Sequence, residues 1–395
     1  MISQYDIGII GAGPSGSYAA YLLAKRGYKV LLIDKDKFPR DKCCGGFLST
    51  RAQKYLGSWK ADMPIQNTIS SLKLYSHKME SIKWEASTTL GATIMRKDFD
   101  NFILNKAIEQ GAKFYGGIIV DKIVEERDKV RIYTSDNAFD CKILIGADGV
   151  FSFTAKHLGL VPKFSPYKMG YTCSQIIELE DEIVDKATIE LYCIPFLGGF
   201  GWCFPVKNRF NIGVGASAYA YKKLHKYFHE FLHRVFSNKN ISIPAISPRA
   251  AFIPAGGFTR RLCQGRTLLI GDASGGVDPF SGEGLEHAFL SASLAVDSIC
   301  AESIEYPDRI CYRYRTSYNR KIMFERRLSL LAAIASWKKG EMFFNLFKHN
   351  PNAMNAFEII MTSSFPYKYI FRKGLTRYIG GYMFDVLNPF KKLNK

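Results

Sequence analysis

Apolar residues come in short bursts through the first third of the chain, and each burst is closed by glycine or by an acid. Residues 5–10 form one burst, and Gly11-Ala12-Gly13-Pro14-Ser15-Gly16 follows at once. Residues 17–26 then place small and apolar side chains at helical spacing, and Gly27 stops the pattern. Residues 29–33 are a second apolar run, closed by Asp34. Strand, glycine turn, helix and strand in this order predict a βαβ unit. Two later bursts repeat the theme. Residues 143–149 end in Ala147-Asp148-Gly149, and residues 268–273 end in Gly271-Asp272-Ala273. A loop with Pro279, Gly282, Glu283 and Gly284 follows, and then a long helical pattern over residues 285–299. Helices are also predicted over residues 49–56 and 101–110, with Arg96 just before the second.

The glycine turn carries the first chemistry. Gly11 permits the sharp exit from the strand, Gly13 lets backbone approach a diphosphate, and Gly16 lets the helix pack on the sheet. The free N–H groups and dipole of the helix N-terminus favour negative charge there. Asp34 is placed to accept hydrogen bonds from a ribose. It lies 23 residues after Gly11, close to the roughly 20 expected. A lone glycine pattern is a weak signal. One that leaves a strand, opens a helix and leads to a strand-terminal acid is a strong one, and it predicts a bound dinucleotide.

Composition adds an asymmetry. The formal charge of the 395 residues is +18, and residues 309–395 hold 17 Lys/Arg against 4 Asp/Glu. Aromatic residues interleave with these charges at Phe343, Phe344, Phe347, Tyr367, Tyr369 and Phe371. A solvated helical face explains such a pattern. So does a basic, apolar surface that meets anionic lipid. Nucleic acid is not expected, because no nucleic-acid motif accompanies the charge. No apolar run reaches the roughly 18 residues that cross a bilayer. The nine cysteines are scattered, without a C-x-x-C pair, so neither disulfides nor a metal site is expected. A strand beginning by residue 7 leaves no room for a signal peptide. The expected location is the cytoplasm, or the periphery of the inner membrane face, and the expected state is a monomer.

The glycine turn, the Ala-Asp-Gly strand end and the Gly-Asp loop together resemble the para-hydroxybenzoate hydroxylase-like superfamily of flavoproteins. Lys42-Cys43-Cys44-Gly45-Gly46 resembles the K-x-C-G-G segment of its geranylgeranyl reductase family. Phe200-Gly201-Trp202-Cys203-Phe204-Pro205 is similar to that family's Tyr-x-Trp-x-Phe-Pro element, with Phe200 in place of tyrosine. The nearest preceding proline, Pro195, is displaced, and Ser274 stands where many aromatic hydroxylases carry histidine.

The resemblance implies an α/β fold. A Rossmann-like FAD-binding domain would use residues 1–70, 93–160 and 260–305. An inserted antiparallel substrate sheet would use residues 71–92 and 161–259, and a basic helical region residues 306–395. The implied cofactor is FAD. Its implied contacts are Gly11, Gly13, Pro14, Ser15, Gly16, Asp34, Lys35, Cys44, Gly45, Gly46, Arg96, Asp148, Asp272, Pro279, Gly282, Gly284 and Leu285. Asp148 is expected to support the site rather than act in it, and Arg96 also fits a simple ion pair at a helix start.

The implied reaction is reduction of C=C bonds in a prenyl or lipid-like substrate. Phe200, Trp202 and Phe204 would wall its channel. Cys44 would position the alkene or deliver the proton, although a buried cysteine also fits a packing role. Cys43 is read as structural. The electron donor is left between NAD(P)H and ferredoxin or a quinol. Rival readings are a flavin monooxygenase of an aromatic or polyketide substrate, a flavin halogenase, and a non-catalytic membrane-associated flavoprotein.

Overall fold

A computed structural model describes residues 3–159, 169–178, 185–237, 247–255, 261–337 and 340–372. The first burst forms strand Ser3–Ile10, the second Val30–Asp34, and both are buried over most of their length. They pair in parallel, with Ile7 opposite Val30 on one side and Ile143 on the other. The large sheet runs in the order Cys263–Gln264, Thr267–Leu269, Ala138–Gly146, Ser3–Ile10, Val30–Asp34, Lys113–Gly116. A hairpin of Val120–Glu125 and Val130–Thr134 joins Ala138–Gly146. Helices Pro14–Ala24, Arg96–Glu109 and Leu285–Ala301 pack together over one face of this sheet.

A seven-stranded sheet follows the order Arg249–Ile253, Gly170–Glu178, Arg209–Ser217, Phe200–Val206, Thr188–Cys193, Ser71–Tyr75, Ser81–Glu85. It is antiparallel except where Thr188–Cys193 meets Ser71–Tyr75. The alternation of strand Phe200–Val206 shows how it is covered. Cys203 joins the core under helix Tyr221–Ser237, whose Leu224, Tyr227, Phe228, Phe231 and Leu232 are buried at helical spacing. Gly201 faces the same helix, and a Cβ there would meet the Phe231 ring at 2.6 Å. Trp202 and Phe204 point the other way, into a second core with Leu72, Leu74 and Ile189. A small sheet of Phe47–Ser49, Gly91–Ile94 and Ile65–Ile69 sits beside them.

The C-terminal region is helical: Pro307–Tyr318, a π turn at Asn319–Met323, then Phe324–Trp337, Gly340–His349, Pro351–Thr362 and Pro366–Arg372. Among the described residues no helix is long and apolar enough to cross a membrane.

Several boundaries differ from the sequence pattern for local reasons. The first helix begins at Pro14, three residues early, because proline suits a first helical position. The helix expected over residues 101–110 begins at Arg96, whose preceding Met95 offers no capping side chain to announce it. The helix expected over residues 49–56 is a four-residue turn, Thr50–Gln53, capped by Ser49 and continued as a 3-10 helix over Lys54–Trp59. The strand expected over residues 268–273 is shorter, because residues 271–274 coil into a 3-10 turn.

Candidate active site

The glycine turn is built by close approach. Gly11 has φ +104°, and a Cβ on it would lie 2.3 Å from the Ala147 carbonyl oxygen. A Cβ on Gly16 would lie 1.8 Å from the Gly11 oxygen. Both glycines therefore serve chain packing. Gly13 differs. Its added Cβ would meet only Arg40 Nη2, at 3.6 Å, so the protein leaves this position open at the mouth of the helix. Asp34 is buried, and its carboxylate accepts the Ala12 amide at 2.6 Å and the Asp36 amide at 2.8 Å. It thus clamps the turn, while a carboxylate retains further acceptor capacity for a ribose. Lys35 stands exposed beside it.

The Gly-Asp loop closes on this turn from the far end of the chain. A Cβ on Gly271 would strike Ser15 Oγ at 2.5 Å. Asp272, Gly282, Gly284 and Leu285 share one cavity wall with Gly13, Pro14 and Ser15. Pro279 is buried within the loop, and the wall there is Val277 and Phe280. Asp278 shapes the loop by accepting the Phe280 and Ser281 amides, the Ser329 hydroxyl and the Tyr367 hydroxyl. The Asp148 carboxylate turns into its own loop, where Thr154 N–H and Oγ1 donate at 2.8 and 3.0 Å. Burial raises its pKa against these bonds and that of Ser152. Asp148 therefore shapes the strand end, and the neighbouring Ala147 and Gly149 face the cavity.

Two arginines complete this half. Arg96 makes a bidentate pair with fully buried Asp100, at 2.6 and 2.7 Å. Burial disfavours its charge, but Asp100 outweighs burial and the guanidinium stays cationic. It also reaches the Cys44 thiol and lines the cavity. The same side chain thus forms the ion pair and lines the cavity. Arg40 was not anticipated. Its Nη1 is buried without a hydrogen bond, 3.2 Å from Asp100, and its Nη2 faces Gly13. An open glycine at a helix N-terminus with a cation above it fits the diphosphate of FAD, and the Asp34 and Asp272 carboxylates fit its two sugar-like segments.

The other half of the cavity is apolar. The cavity holds about 330 Å³ and is walled by Leu72, Leu74, Ile189, Phe200, Trp202, Phe204, Phe343, Phe347, Phe357 and Met361. Phe343 and Phe347, read from sequence as candidates for a lipid-facing surface, turn inward as part of its roof. Phe200 meets the loop at Gly282, where a Cβ would lie 3.3 Å from its ring. Gly45 packs under Trp202 and Phe204, with room for no side chain larger than a tight methyl. Asn211, also missed by sequence reasoning, ties these parts together. Its Nδ2 donates to the Cys44 carbonyl at 2.7 Å, and its Oδ1 accepts the Trp202 indole N–H at 3.1 Å. Cys44 Sγ accepts the Gly46 amide at 3.4 Å. Cys43 Sγ lies 3.2 Å from Ser174 Oγ, and burial raises its pKa.

Behind the Gly282–Gly284 loop lies an acidic cluster around one cation. Arg51 Nη2 pairs with Glu283 Oε2 at 2.9 Å, and Ser49 donates to the other carboxylate oxygen. The Glu286, Asp278 and Glu325 carboxyls act on the same guanidinium through their charge. The enclosed carboxyl of Glu286 is pushed up to about 7 by burial, with Arg51 opposing and Glu283, Asp278 and Glu325 adding.

Comparison with known proteins points to the same cofactor. A family model described as an FAD binding domain matches residues 4–299. A menaquinone reductase of Mycolicibacterium smegmatis is 28% identical over 354 residues, covering 85% of this chain and 86% of that protein. A digeranylgeranylglycerophospholipid reductase of Methanococcoides burtonii is 28% identical over 327 residues, covering 78% and 77%. The solved structure of a geranylgeranyl bacteriochlorophyll reductase-like protein from Thermoplasma acidophilum superposes with TM-score 0.74 at 22% identity, covering 85% of this chain and 88% of that one. A flavin-dependent brominase superposes with TM-score 0.71 at 19% identity, covering 95% and 99%. These two structures establish a shared fold. The chain belongs to the FAD-binding flavoproteins and is an FAD-dependent oxidoreductase, similar in sequence to a digeranylgeranylglycerophospholipid reductase.

Proposed function

We propose that the protein reduces C=C bonds of a prenyl lipid. The observation that carries this is the apolar cavity of about 330 Å³ that joins the cofactor loops directly to the face of Phe200, Trp202 and Phe204. When bound and reduced, FAD supplies the hydride. The chain supplies the rest. Phe200, Trp202, Phe204, Phe343 and Phe347 hold an extended hydrocarbon and keep water from it. The N-terminus of helix Leu285–Ala301 favours negative charge beside the Gly282–Gly284 loop. Cys44, held by Asn211 and next to Arg96, presents an S–H at the cavity wall for the carbon that does not take hydride.

Two of the relatives above are named for lipid-linked substrates, a prenylated phospholipid and a menaquinone, and this supports the reading. The surface supports an approach to anionic lipid, since exposed Phe365, Tyr369 and Phe371 lie beside Lys368 and Arg372. The test is anaerobic mixing of photoreduced holoprotein with prenyl lipids. Reoxidation of the flavin with saturation of the lipid is expected. Oxidation only on admitting oxygen, with an oxygenated product, would identify a monooxygenase instead.

A further inference from the structure

A second cavity, of about 160 Å³, adjoins the first and differs in chemistry. Lys42, Arg96, Lys97 and Arg249 line it against a single carboxylate, Asp41. Lys42, Cys43, Cys44 and Arg96 line both cavities. The sheet explains the arrangement. Thr172 pairs with Ala251 and lines the apolar cavity, while Ser174 pairs with Arg249 and lines the cationic one. The two rungs share a strand face two residues apart, roughly 7 Å along the strand. Lys42, Cys43, Cys44 and Arg96 form the boundary between them, with Cys43 Sγ at Ser174 Oγ (3.2 Å) and at the Arg249 carbonyl (3.4 Å).

The cations are unequally neutralised. Arg96 is matched by Asp100, and Arg249 meets Asp41 at the exposed rim, at 3.2 Å. Among the described residues no carboxylate pairs with Lys42 or Lys97. A polar, cationic pocket opening beside an apolar channel suits a molecule with a charged end and a hydrocarbon end.

We propose that this second cavity is a phosphate site, and that it takes the anionic head of the prenyl substrate while the chain lies under Trp202. The inference rests on the prenyl-lipid reading and narrows it, because a neutral quinone head would leave Lys42 and Lys97 unmatched. Specificity then comes from the head, through Lys97 and Arg249, and reactivity from the chain, through the cavity at Cys44.

The test titrates holoprotein with geranylgeranyl phosphate and with geranylgeraniol, the same chain with and without charge, and reads the flavin absorbance change. The phosphate is expected to bind at least ten-fold more tightly. Lys97→Glu and Arg249→Glu, both at exposed positions, are expected to abolish that ratio and leave the alcohol's Kd unchanged. Inorganic phosphate is expected to compete with the phosphate lipid and not with the alcohol. Equal affinities in the wild type, or a ratio that survives in both variants, would overturn the proposal. So would variants that lose NAD(P)H binding and keep the lipid ratio, since the site would then belong to a dinucleotide. If neither lipid binds nor reoxidises the reduced flavin, the prenyl-lipid reading fails with it, an outcome distinct from equal binding of both.

Discussion

Replacing Asn211 by leucine removes two hydrogen bonds at almost constant volume. Trp202 and Asn211 are both buried, so the indole N–H loses its 3.1 Å acceptor. A buried donor left unpaired costs about 1–3 kcal/mol. The Cys44 carbonyl loses its 2.7 Å donor. Its residue is only half-buried, so water recovers part of that bond and the loss is about 0.5–1.5 kcal/mol. The expected destabilisation is therefore about 1.5–4.5 kcal/mol in urea unfolding of the holoprotein. Trp202→Phe removes the donor and keeps most of the ring, and it should cost about 1 kcal/mol by the same reasoning. Because both changes break one bond, the double variant should fall short of the sum by about 1 kcal/mol. Flavin occupancy should hold in Asn211→Leu, since Gly13, Asp34 and Asp272 lie elsewhere, while turnover falls as the Cys44 loop loosens. A destabilisation below about 0.5 kcal/mol with additive double-variant energies would refute the idea that Asn211 fixes this loop.

Three further changes separate cofactor binding, pH response and chemistry. Gly13→Ala has room within the protein, so its stability should change by less than about 1 kcal/mol, while its FAD dissociation constant rises at least ten-fold by equilibrium dialysis. Gly13→Ala with wild-type FAD affinity would show that the diphosphate lies elsewhere. Glu286 has a folded pKa of about 7, above the roughly 4.3 of an unfolded glutamate. The folded state then holds the proton more tightly, so this carboxyl's contribution to stability is greatest at low pH and falls as pH rises from about 4.3 to about 7, by up to about 3–4 kcal/mol. Glu286→Gln should remove that slope in urea midpoints measured across the same window; an unchanged slope would assign it to another group. Cys44→Ser should keep full FAD occupancy and depress turnover, and unaltered turnover would take the thiol out of the mechanism.

The parts of this site that could be read from sequence are those made by neighbours in the chain. Gly11, Gly16 and Asp34 lie within one βαβ unit, where spacing alone dictates which atoms collide. The alternation of Phe200, Trp202 and Phe204 likewise follows from strand geometry. What escaped the reading is long-range pairing. Arg40 meets Asp100, Asn211 reaches the Cys44 carbonyl across 167 positions, and Arg51 finds Glu283 across 232. None of these carries a local signature, because a lone Arg, Asn or Glu in a loop is ordinary surface chemistry until the fold buries it. The roof of the cavity escaped for a related reason. Helical spacing of Phe343 and Phe347 shows an apolar face, but only the packed structure shows that this face covers the sheet rather than a membrane.

The central claim is that one continuous cavity brings a hydrocarbon to a reduced flavin. It is tested most directly by incubating photoreduced, FAD-loaded protein with a prenyl lipid under strict anaerobiosis and following both flavin absorbance and lipid mass. The flavin is expected to reoxidise as the lipid gains one molecule of hydrogen per double bond. A lipid of unchanged mass beside a flavin that stays reduced until oxygen enters would contradict it.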